Sequence, residues 1–249
     1  MKPFHYSNAQ FDYKPYPICY IPDFMDRAQY DQLAASYPDY SLFAFKTKLG
    51  GKYSLAEQNN RDFYFDFLSK NPAWKEFYDF VKSEKFAREA FDFLRQHHVD
   101  LGIKQKIWWT TNGNKPWRNA LARLLNRKVM MSKFEFSMMP GNGGHILPHT
   151  DSANKLVTLV LTFIQDGEWK HEWGGGTEVI APKDETKTYN HVNKVYPREE
   201  MDLVKIFPFN PNQCLLFVKT YNSWHSVSAM TGPETALRKT VTINIESFT

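Results

Sequence analysis

Short apolar segments separated by Gly, Pro and Asn fill the second half of the chain, and they limit its fold more than any other feature. Each segment has the length and composition of a β-strand, and the breaks between them have the composition of turns. Such a series predicts an all-β sandwich or barrel. From Val129 onwards the segments are VMMSKFEFSMM, KLVTLVLTFIQ, GTEVIAP, MDLVKIFPF, QCLLFVKT, HSVSAM and RKTVTINIESF.

Two of these segments, the one from Lys155 and the last one, alternate so that the predicted sheet has one apolar and one polar face. Successive side chains of a strand point to opposite faces. The apolar face needs a cover, and the polar face predicts a cavity. The apolar face carries Val157, Leu159, Leu161 and Phe163 together with Val241, Ile243 and Ile245; the polar face carries Thr158, Val160 and Thr162 together with Arg238, Thr240, Thr242 and Asn244.

The first half of the chain has a helical pattern instead. FMDRAQYDQLAASYP spaces its apolar residues like one face of a helix that ends at Pro38, and NPAWKEFYDFVKSEKFAREAFDFLRQHH repeats the signal with Pro72 at a helix start. We expect these helices to cover the apolar face of the sheet. The predicted fold is therefore mainly β with flanking α, in a single domain over 1–249. Residues 1–128 form mostly helical support and a basic insert, and residues 129–249 form the core.

Charge and cysteine content indicate the compartment and the partners. Lys and Arg total 31 against 27 Asp and Glu, so overall charge does not favour nucleic acid or an anionic membrane. Two cysteines, Cys19 and Cys214, are too few for a disulfide framework, and the chain starts without a secretory signal pattern. No apolar run reaches membrane-spanning length. We expect a soluble, cytoplasmic protein without a membrane partner.

The segment from Leu101 to Phe134 is basic, contains no acidic residue, and has three interleaved tryptophans, Trp108, Trp109 and Trp117. One hypothesis makes it a lip that binds nucleic acid through phosphate contacts and base stacking. The other makes it a solvated connector whose tryptophans fill gaps in the core, and we favour this second hypothesis. The basic residues are Lys104, Lys106, Lys115, Arg118, Arg123, Arg127, Lys128 and Lys133.

The stretch PGNGGHILPHTDSANKL contains His145, His149 and Asp151. Two histidines four apart on a helix would suggest a zinc site, but the glycines and Pro148 exclude that helix. On an extended segment, His149 and Asp151 leave the same face and can bind one ion. His145 is then a residue of the pocket rim or one that supports a metal ligand.

A third histidine would complete a face of two imidazoles and one carboxylate, which suits non-haem Fe(II). The downstream candidates are His171, His191 and His225. His171 and His191 lie in polar, turn-like stretches, whereas His225 follows the apolar strand QCLLFVKT, which can fix an imidazole rigidly. His225 is the preferred third ligand.

Arg238 lies on the polar face of the last strand, where a lone guanidinium needs an anion. Arginine binds carboxylates through two parallel hydrogen bonds. Thr162, on the same kind of face, offers a hydroxyl to the same carboxylate. Lys239 is the alternative cation, but alternation points it to the opposite face.

These pieces together resemble the Fe(II)/2-oxoglutarate-dependent dioxygenases, in particular their prolyl-4-hydroxylase-like branch. The matching stretches are PHTD, EWGGGTEV, SWHSV and LRKTVTINI, in the expected order, and YKPYPICYIPDFMDRAQYDQLAASYP resembles the opening strand and helix of many members. The resemblance implies a double-stranded β-helix, or jelly roll. It also implies that His149, Asp151 and His225 bind iron, that Arg238 binds the distal carboxylate of 2-oxoglutarate, and that Thr162 occupies a co-substrate hydroxyl position.

The implied activity is the hydroxylation of a C–H bond in a peptide or small molecule with Fe(II), 2-oxoglutarate and O2, releasing succinate and CO2. Relatives that halogenate lack the carboxylate ligand, so the presence of Asp151 favours hydroxylation. A prolyl residue is the favoured target. Two alternatives stay open: the same chemistry on a nucleobase, and a jelly roll that binds a ligand without metal, in which His149 and Asp151 only bond one another in a turn.

Overall fold

Two sheets and a layer of helices make up the computed structural model of the chain, which describes residues 4–111 and 113–248. The strands, in chain order, are β1 (Gln10–Asp12), β2 (Ile18–Ile21), β3 (Ala44–Lys46), β4 (Lys52–Ala56), β5 (Lys106–Trp109), β6 (Arg127–Pro140), β7 (Ile146–His149), β8 (Lys155–Thr162), β9 (Thr177–Pro182), β10 (Met201–Phe207), β11 (Cys214–Val218), β12 (His225–Val227) and β13 (Leu237–Ser247). The α-helices are α1 (Arg27–Ala35), α2 (Arg61–Lys70), α3 (Pro72–Val81), α4 (Glu84–Gln96) and α5 (Pro116–Leu124). Short 3-10 turns cover Tyr40–Leu42, His171–Trp173, Glu185–Lys187 and Arg198–Glu200.

The strands form a larger and a smaller sheet. The larger sheet has the order β1-β2-β11-β8-β13-β6-β4-β3, with β5 added parallel to the start of β6, and the smaller sheet has the order β10-β9-β12-β7. All other pairings are antiparallel, and many neighbours are distant in sequence, as in a jelly roll. The predicted class, mainly β with flanking helices and a jelly-roll core, is confirmed.

Strand β13 runs through the middle of the larger sheet and separates the core from a cavity. It pairs with β6 along its whole length, from Leu237 to Ser247, and with β8 from Thr240 to Glu246. The predicted alternation is confirmed: Val241, Ile243 and Ile245 are in the main core. The residues of β13 that line the cavity are Arg238, Thr240, Thr242 and Asn244.

Helix α3 packs its aromatic side chains on the apolar face of the larger sheet. Trp74 is fully buried, and its ring centroid lies 4.8 Å from that of Phe136 on β6 and 4.9 Å from that of Phe163, just after β8. The Trp74 indole N–H donates to the carbonyl oxygen of Ser36 at 2.9 Å. One side chain thus ties α3, the end of α1 and the sheet together.

A smaller apolar cluster closes one end of the space between the two sheets. Ile18 and Phe217 from the larger sheet pack there against Val179 and Phe207 from the smaller sheet. The other part of that space is the polar cavity. The two sheets are therefore held at a fixed separation beside the cavity.

The first 128 residues contain more β-structure than predicted. They were expected to be mostly helical, yet β1 to β5 all lie in this part and join the larger sheet. Each of these strands has only three to five residues, which is too short for alternation to distinguish it from a loop. A single domain over the whole chain stays a prediction, and its end residues lie outside the described ranges.

The basic segment 101–134 is partly structural. Trp109 donates its indole N–H to the carbonyl oxygen of Lys82 at 2.8 Å, and its side chain packs on the main core. Arg118 is buried and donates from Nη1 to Thr110 Oγ1 at 2.7 Å. Within the described ranges, no helix is long and apolar enough to cross a membrane.

Replacing Trp74 by Ala should destabilise the fold by about 3–5 kcal/mol, the usual cost of removing a large buried aromatic side chain. Urea unfolding followed by circular dichroism measures this change. The control is Phe63→Ala, because Phe63 is 58% exposed and its loss should cost less than about 0.5 kcal/mol. Equal unfolding midpoints for the two variants would contradict the packing described for α3.

Candidate metal centre

The pairing of β7 with β12 brings two histidines face to face. His149, the last residue of β7, is the register partner of His225, the first residue of β12. Directly opposed residues of an antiparallel pair have adjacent side chains. The two imidazole centroids are accordingly 4.3 Å apart, and both residues are buried.

Asp151 joins the two histidines because the chain turns directly after β7. Its φ of 70° lies in the left-handed region, which Asp adopts more readily than most residues. Its Oδ1 lies 3.5 Å from His149 Nε2, and ligand atoms of all three residues lie within 4.8 Å of one another. The structure thus brings together the three predicted residues, while His171 and His191 are exposed and lie outside this cluster.

Backbone carbonyls orient both imidazole rings. Nδ1 of His149 lies 2.9 Å from the carbonyl oxygen of Leu147, and Nδ1 of His225 lies 2.9 Å from that of Ser223. A ring that donates from Nδ1 keeps the lone pair of Nε2 for a metal. Burial, with a further contribution from His149, lowers the pKa of His225 to about 3 and keeps it neutral.

Asp151 is held as a carboxylate by its neighbours. Lys155 Nζ lies 2.7 Å from Asp151 Oδ1, and the Thr158 hydroxyl lies 3.2 Å from Oδ2. Burial by itself would raise the pKa of Asp151, but the charge of Lys155 and the contact with His149 outweigh it and lower that pKa well below its usual value. The cluster therefore offers two imidazoles and one anionic oxygen, a donor set suited to Fe(II).

Arg238 lies in the same cavity and carries a buried positive charge. Its Nε donates to the carbonyl oxygen of Gly175 at 2.6 Å, and its guanidinium lies 4.5 Å from the ring centroid of Phe209. No carboxylate forms an ion pair with it in residues 4–111 and 113–248. Burial lowers the pKa of Arg238 to about 10, so it stays charged at neutral pH. The arrangement calls for an anion from outside the chain.

The position of Gly175, just before β9, requires a glycine. Its φ of 84° disfavours any residue with a side chain, and an added Cβ would lie 3.0 Å from Trp169 and 3.4 Å from the Arg238 side chain. Without a side chain at this position, its carbonyl oxygen can approach and orient the guanidinium.

Thr162 and Lys239 differ from Arg238 in position. Lys239 points away from the cavity, as alternation predicts, and its Nζ is paired with Glu168 at 3.1 Å. Thr162 is buried, but its hydroxyl donates to the Asn210 carbonyl oxygen and accepts from Gln213 N–H, and it is not a lining residue of the cavity. A co-substrate role for Thr162 stays a prediction.

Other cavity residues were not predicted from the sequence. Simple alternation would place Lys155 with Val157 on the apolar face of β8. A register shift pairs Lys155 with Glu246 and Val157 with Ile245, so Leu156 is an extra residue that turns Lys155 into the cavity. The pair of Lys52 and Glu135, 2.7 Å apart, also lines the cavity, and only the tertiary fold brings it there.

His145 and the basic segment lie outside the cavity lining. The His145 ring packs against Gly50 in the turn between β3 and β4, where an added Cβ would lie 2.6 Å from it. None of the described residues between 101 and 128 lines the cavity. The tryptophan-containing segment is thus not at the position that a stacking lip would need.

A protein-family model matches the part of the chain that contains the triad and Arg238. Residues 134–246 match the model of the family described as the 2OG-Fe(II) oxygenase superfamily. Comparison with curated proteins gives no match.

Similar solved structures include a Pseudomonas putida prolyl-4-hydroxylase, with 12% identity, a TM-score of 0.48, and coverage of 92% of this chain and 91% of that one. An oxidoreductase of the 2OG-Fe(II) oxygenase family from Burkholderia pseudomallei has 11% identity and a TM-score of 0.47, with 92% and 84% covered. A Trichoplax adhaerens prolyl hydroxylase in complex with a hypoxia-inducible factor peptide fragment has 12% identity and a TM-score of 0.45, with 92% and 83% covered.

His225→Ala should weaken the binding of a divalent ion at this cluster by at least about tenfold, since even indirect damage to a metal site commonly costs that much. Calorimetric titration of the protein with Mn(II) measures the affinity. The matched control is His191→Ala, which removes an exposed histidine outside the cluster and should leave the affinity unchanged. Equal affinities for both variants would contradict the site.

Proposed function

We propose that this chain, a member of the 2OG-Fe(II) oxygenase superfamily, hydroxylates a C–H bond of a peptide or small molecule with Fe(II), 2-oxoglutarate and O2. The products are the alcohol, succinate and CO2. One observation carries the proposal: the buried triad of His149, Asp151 and His225 opens into the same cavity as Arg238, whose charge has no carboxylate partner in the described ranges. The triad would bind a metal, and Arg238 would bind a dicarboxylate.

The residues present fit the two groups that the family uses. His149 and His225 would bind Fe(II) through Nε2 and Asp151 through a carboxylate oxygen, while Arg238 would bind the far carboxylate of 2-oxoglutarate. When bound, iron and 2-oxoglutarate supply the activation of O2 that lets an unreactive C–H bond be oxidised. The protein supplies binding, orientation and the exclusion of water.

Arg238 positions the co-substrate through a guanidinium of fixed orientation. Gly175 holds its Nε, and Phe209 lies against it, so its remaining N–H groups can meet a carboxylate in the bidentate geometry that arginine favours. In a buried site an arginine–carboxylate pair is strong. It excludes 2-oxo acids that have no carboxylate within reach of Arg238. This favours a dicarboxylate over a 2-oxo acid that has no second carboxylate.

Asp151 is the residue that favours hydroxylation over halogenation. Its carboxylate would supply the ligand that halogenating relatives lack. Lys155 and Thr158 each contact one of its oxygens, which fixes the plane of the carboxylate, and the charge of Lys155 helps to keep it ionised. Lys155 acts here as a positioning residue.

A prolyl residue in a peptide is the proposed target because the motifs resemble the prolyl-4-hydroxylase-like branch. Apolar side chains such as Leu49, Ile146 and Val160 line part of the cavity and suit an aliphatic ring. A cytoplasmic location also stays a prediction, in agreement with two free, buried cysteines.

The protein should convert 2-oxoglutarate to succinate in the presence of Fe(II), and proline-containing peptides should accelerate this conversion. Succinate release is measured with a peptide panel and with matched peptides that carry alanine for proline. Asp151→Ala should abolish turnover. If the wild-type protein binds metal at the triad but forms no succinate with any candidate, the proposed activity is wrong.

Arg238→Met should raise the KM for 2-oxoglutarate by at least about tenfold, because a charged hydrogen bond contributes about 1.5–3 kcal/mol. Basal succinate formation at increasing 2-oxoglutarate concentration gives this value. Lys239→Met is the control, since its side chain points away from the cavity and should leave KM unchanged. A larger rise in KM for Lys239→Met than for Arg238→Met would assign the carboxylate of the co-substrate to Lys239.

A further inference from the structure

Helix α5 presents a stripe of large apolar side chains to solvent. Trp117, Leu121, Leu124 and Leu125 are 63%, 39%, 82% and 53% exposed, and their spacing of four, three and one places them on one side of the helix. We call these four residues the α5 patch. Contiguous exposed apolar surface of this kind marks an interaction site more often than a chance exposure.

Other residues of α5 fix the helix to the protein. Ala122 is fully buried, and the buried Arg118 donates to Thr110 Oγ1 at 2.7 Å and to the carbonyl oxygen of Gly113. Proline at the helix start, Pro116, pre-sets the first turn. The α5 patch is therefore held outward by a rigid attachment.

Basic residues accompany the α5 patch along the chain. The whole segment from Leu101 to Phe134 lacks Asp and Glu. Lys115 lies before the helix and Arg123 near its end, both exposed, and we call these two residues the basic rim. In the described ranges no carboxylate forms an ion pair with the basic residues Lys104, Lys106, Lys115, Arg123 and Lys128.

This combination separates the possible occupants. A second copy would bring two basic rims together, which opposes association through this face. Single-stranded nucleic acid would use the basic rim and Trp117 but would leave the three leucines in water. An anionic lipid surface matches both the basic rim and the apolar side chains. Its negative charge attracts the basic rim, and the layer between its head groups and acyl chains accepts the Trp and Leu side chains of a helix that lies on it.

We propose that the α5 patch binds anionic membrane surfaces. Trp117, Leu121, Leu124 and Leu125 enter the boundary between head groups and acyl chains, and the basic rim contacts lipid phosphates. The binding is peripheral and salt-sensitive. It differs from the expectation of no membrane partner, which was based on overall charge and on the lack of a spanning segment, because a helix with a local basic surface can lie on a membrane without either.

The α5 patch is separate from the cavity. The neighbouring strand β5 pairs with β6 as far as Met130, whereas β6 lines the cavity from Glu135 onwards, roughly 16 Å further along the strand. Membrane binding therefore leaves the cavity accessible. The proposal does not depend on the proposed hydroxylase activity.

Co-sedimentation of the full chain with vesicles tests this inference. Vesicles of phosphatidylcholine with an equal part of phosphatidylglycerol should bind the wild-type protein, and vesicles of phosphatidylcholine alone should not. The double variant Trp117→Ser, Leu124→Ser should lose at least about tenfold in partitioning, because it removes the most exposed anchors. High salt should release the wild-type protein.

The matched control is Val192→Ser with Leu203→Ser, which removes exposed apolar residues from other surfaces. It should bind like the wild type, and both double variants should keep the wild-type melting temperature. Equal vesicle binding by wild type and the α5 variant would overturn the proposal, as would no binding at all. Two other outcomes would assign the surface to a different partner, provided that the wild-type protein does not bind vesicles. One is tight binding of a single-stranded oligonucleotide that the α5 variant loses. The other is a dimer that the α5 variant no longer forms.

Discussion

The register between β7 and β12 is the constraint on which the site depends. It places His149 opposite His225, and a shift of one residue would move one imidazole to the other face of the sheet. Both rings are then fixed by carbonyl groups two residues back along the chain, that of Leu147 within β7 and that of Ser223 just before β12. The backbone of the smaller sheet thus prepares two of three ligand atoms, and the turn at Asp151 adds the third.

The larger sheet supplies the remaining requirements by using its two faces differently. Alternate residues of β13 enter the core or the cavity, so Val241 and Ile243 stabilise the fold while Arg238 and Asn244 face the cavity. Asn244 contacts Thr158, which in turn contacts Asp151, so the two sheets share one polar network at the triad. Helix packing on the apolar face keeps this sheet rigid, which matters because a metal site needs its ligands held closely in place.

Sequence reasoning reached the parts of the protein that local periodicity encodes. The alternation of β13 predicted which of its residues face the cavity, and that of β8 did so for Thr158 and Val160 but not for Thr162. The glycines with Pro148 excluded a helix at His149. Lys155 was missed because a bulge at Leu156 reverses its face, and no local pattern reveals a bulge. Arg118 was counted as a surface charge but is buried, since its partners Thr110 and Gly113 are brought to it only by the tertiary fold.

The central claim is that the triad and Arg238 together bind a metal and a dicarboxylate in one cavity. A crystal structure obtained with Mn(II) and 2-oxoglutarate in the absence of Fe(II) tests it most directly, because anomalous scattering locates the metal. The account predicts one metal peak coordinated by Nε2 of His149, Nε2 of His225 and a carboxylate oxygen of Asp151, with the far carboxylate of 2-oxoglutarate on Arg238. A metal bound elsewhere, or a 2-oxoglutarate whose far carboxylate does not contact Arg238, would contradict it.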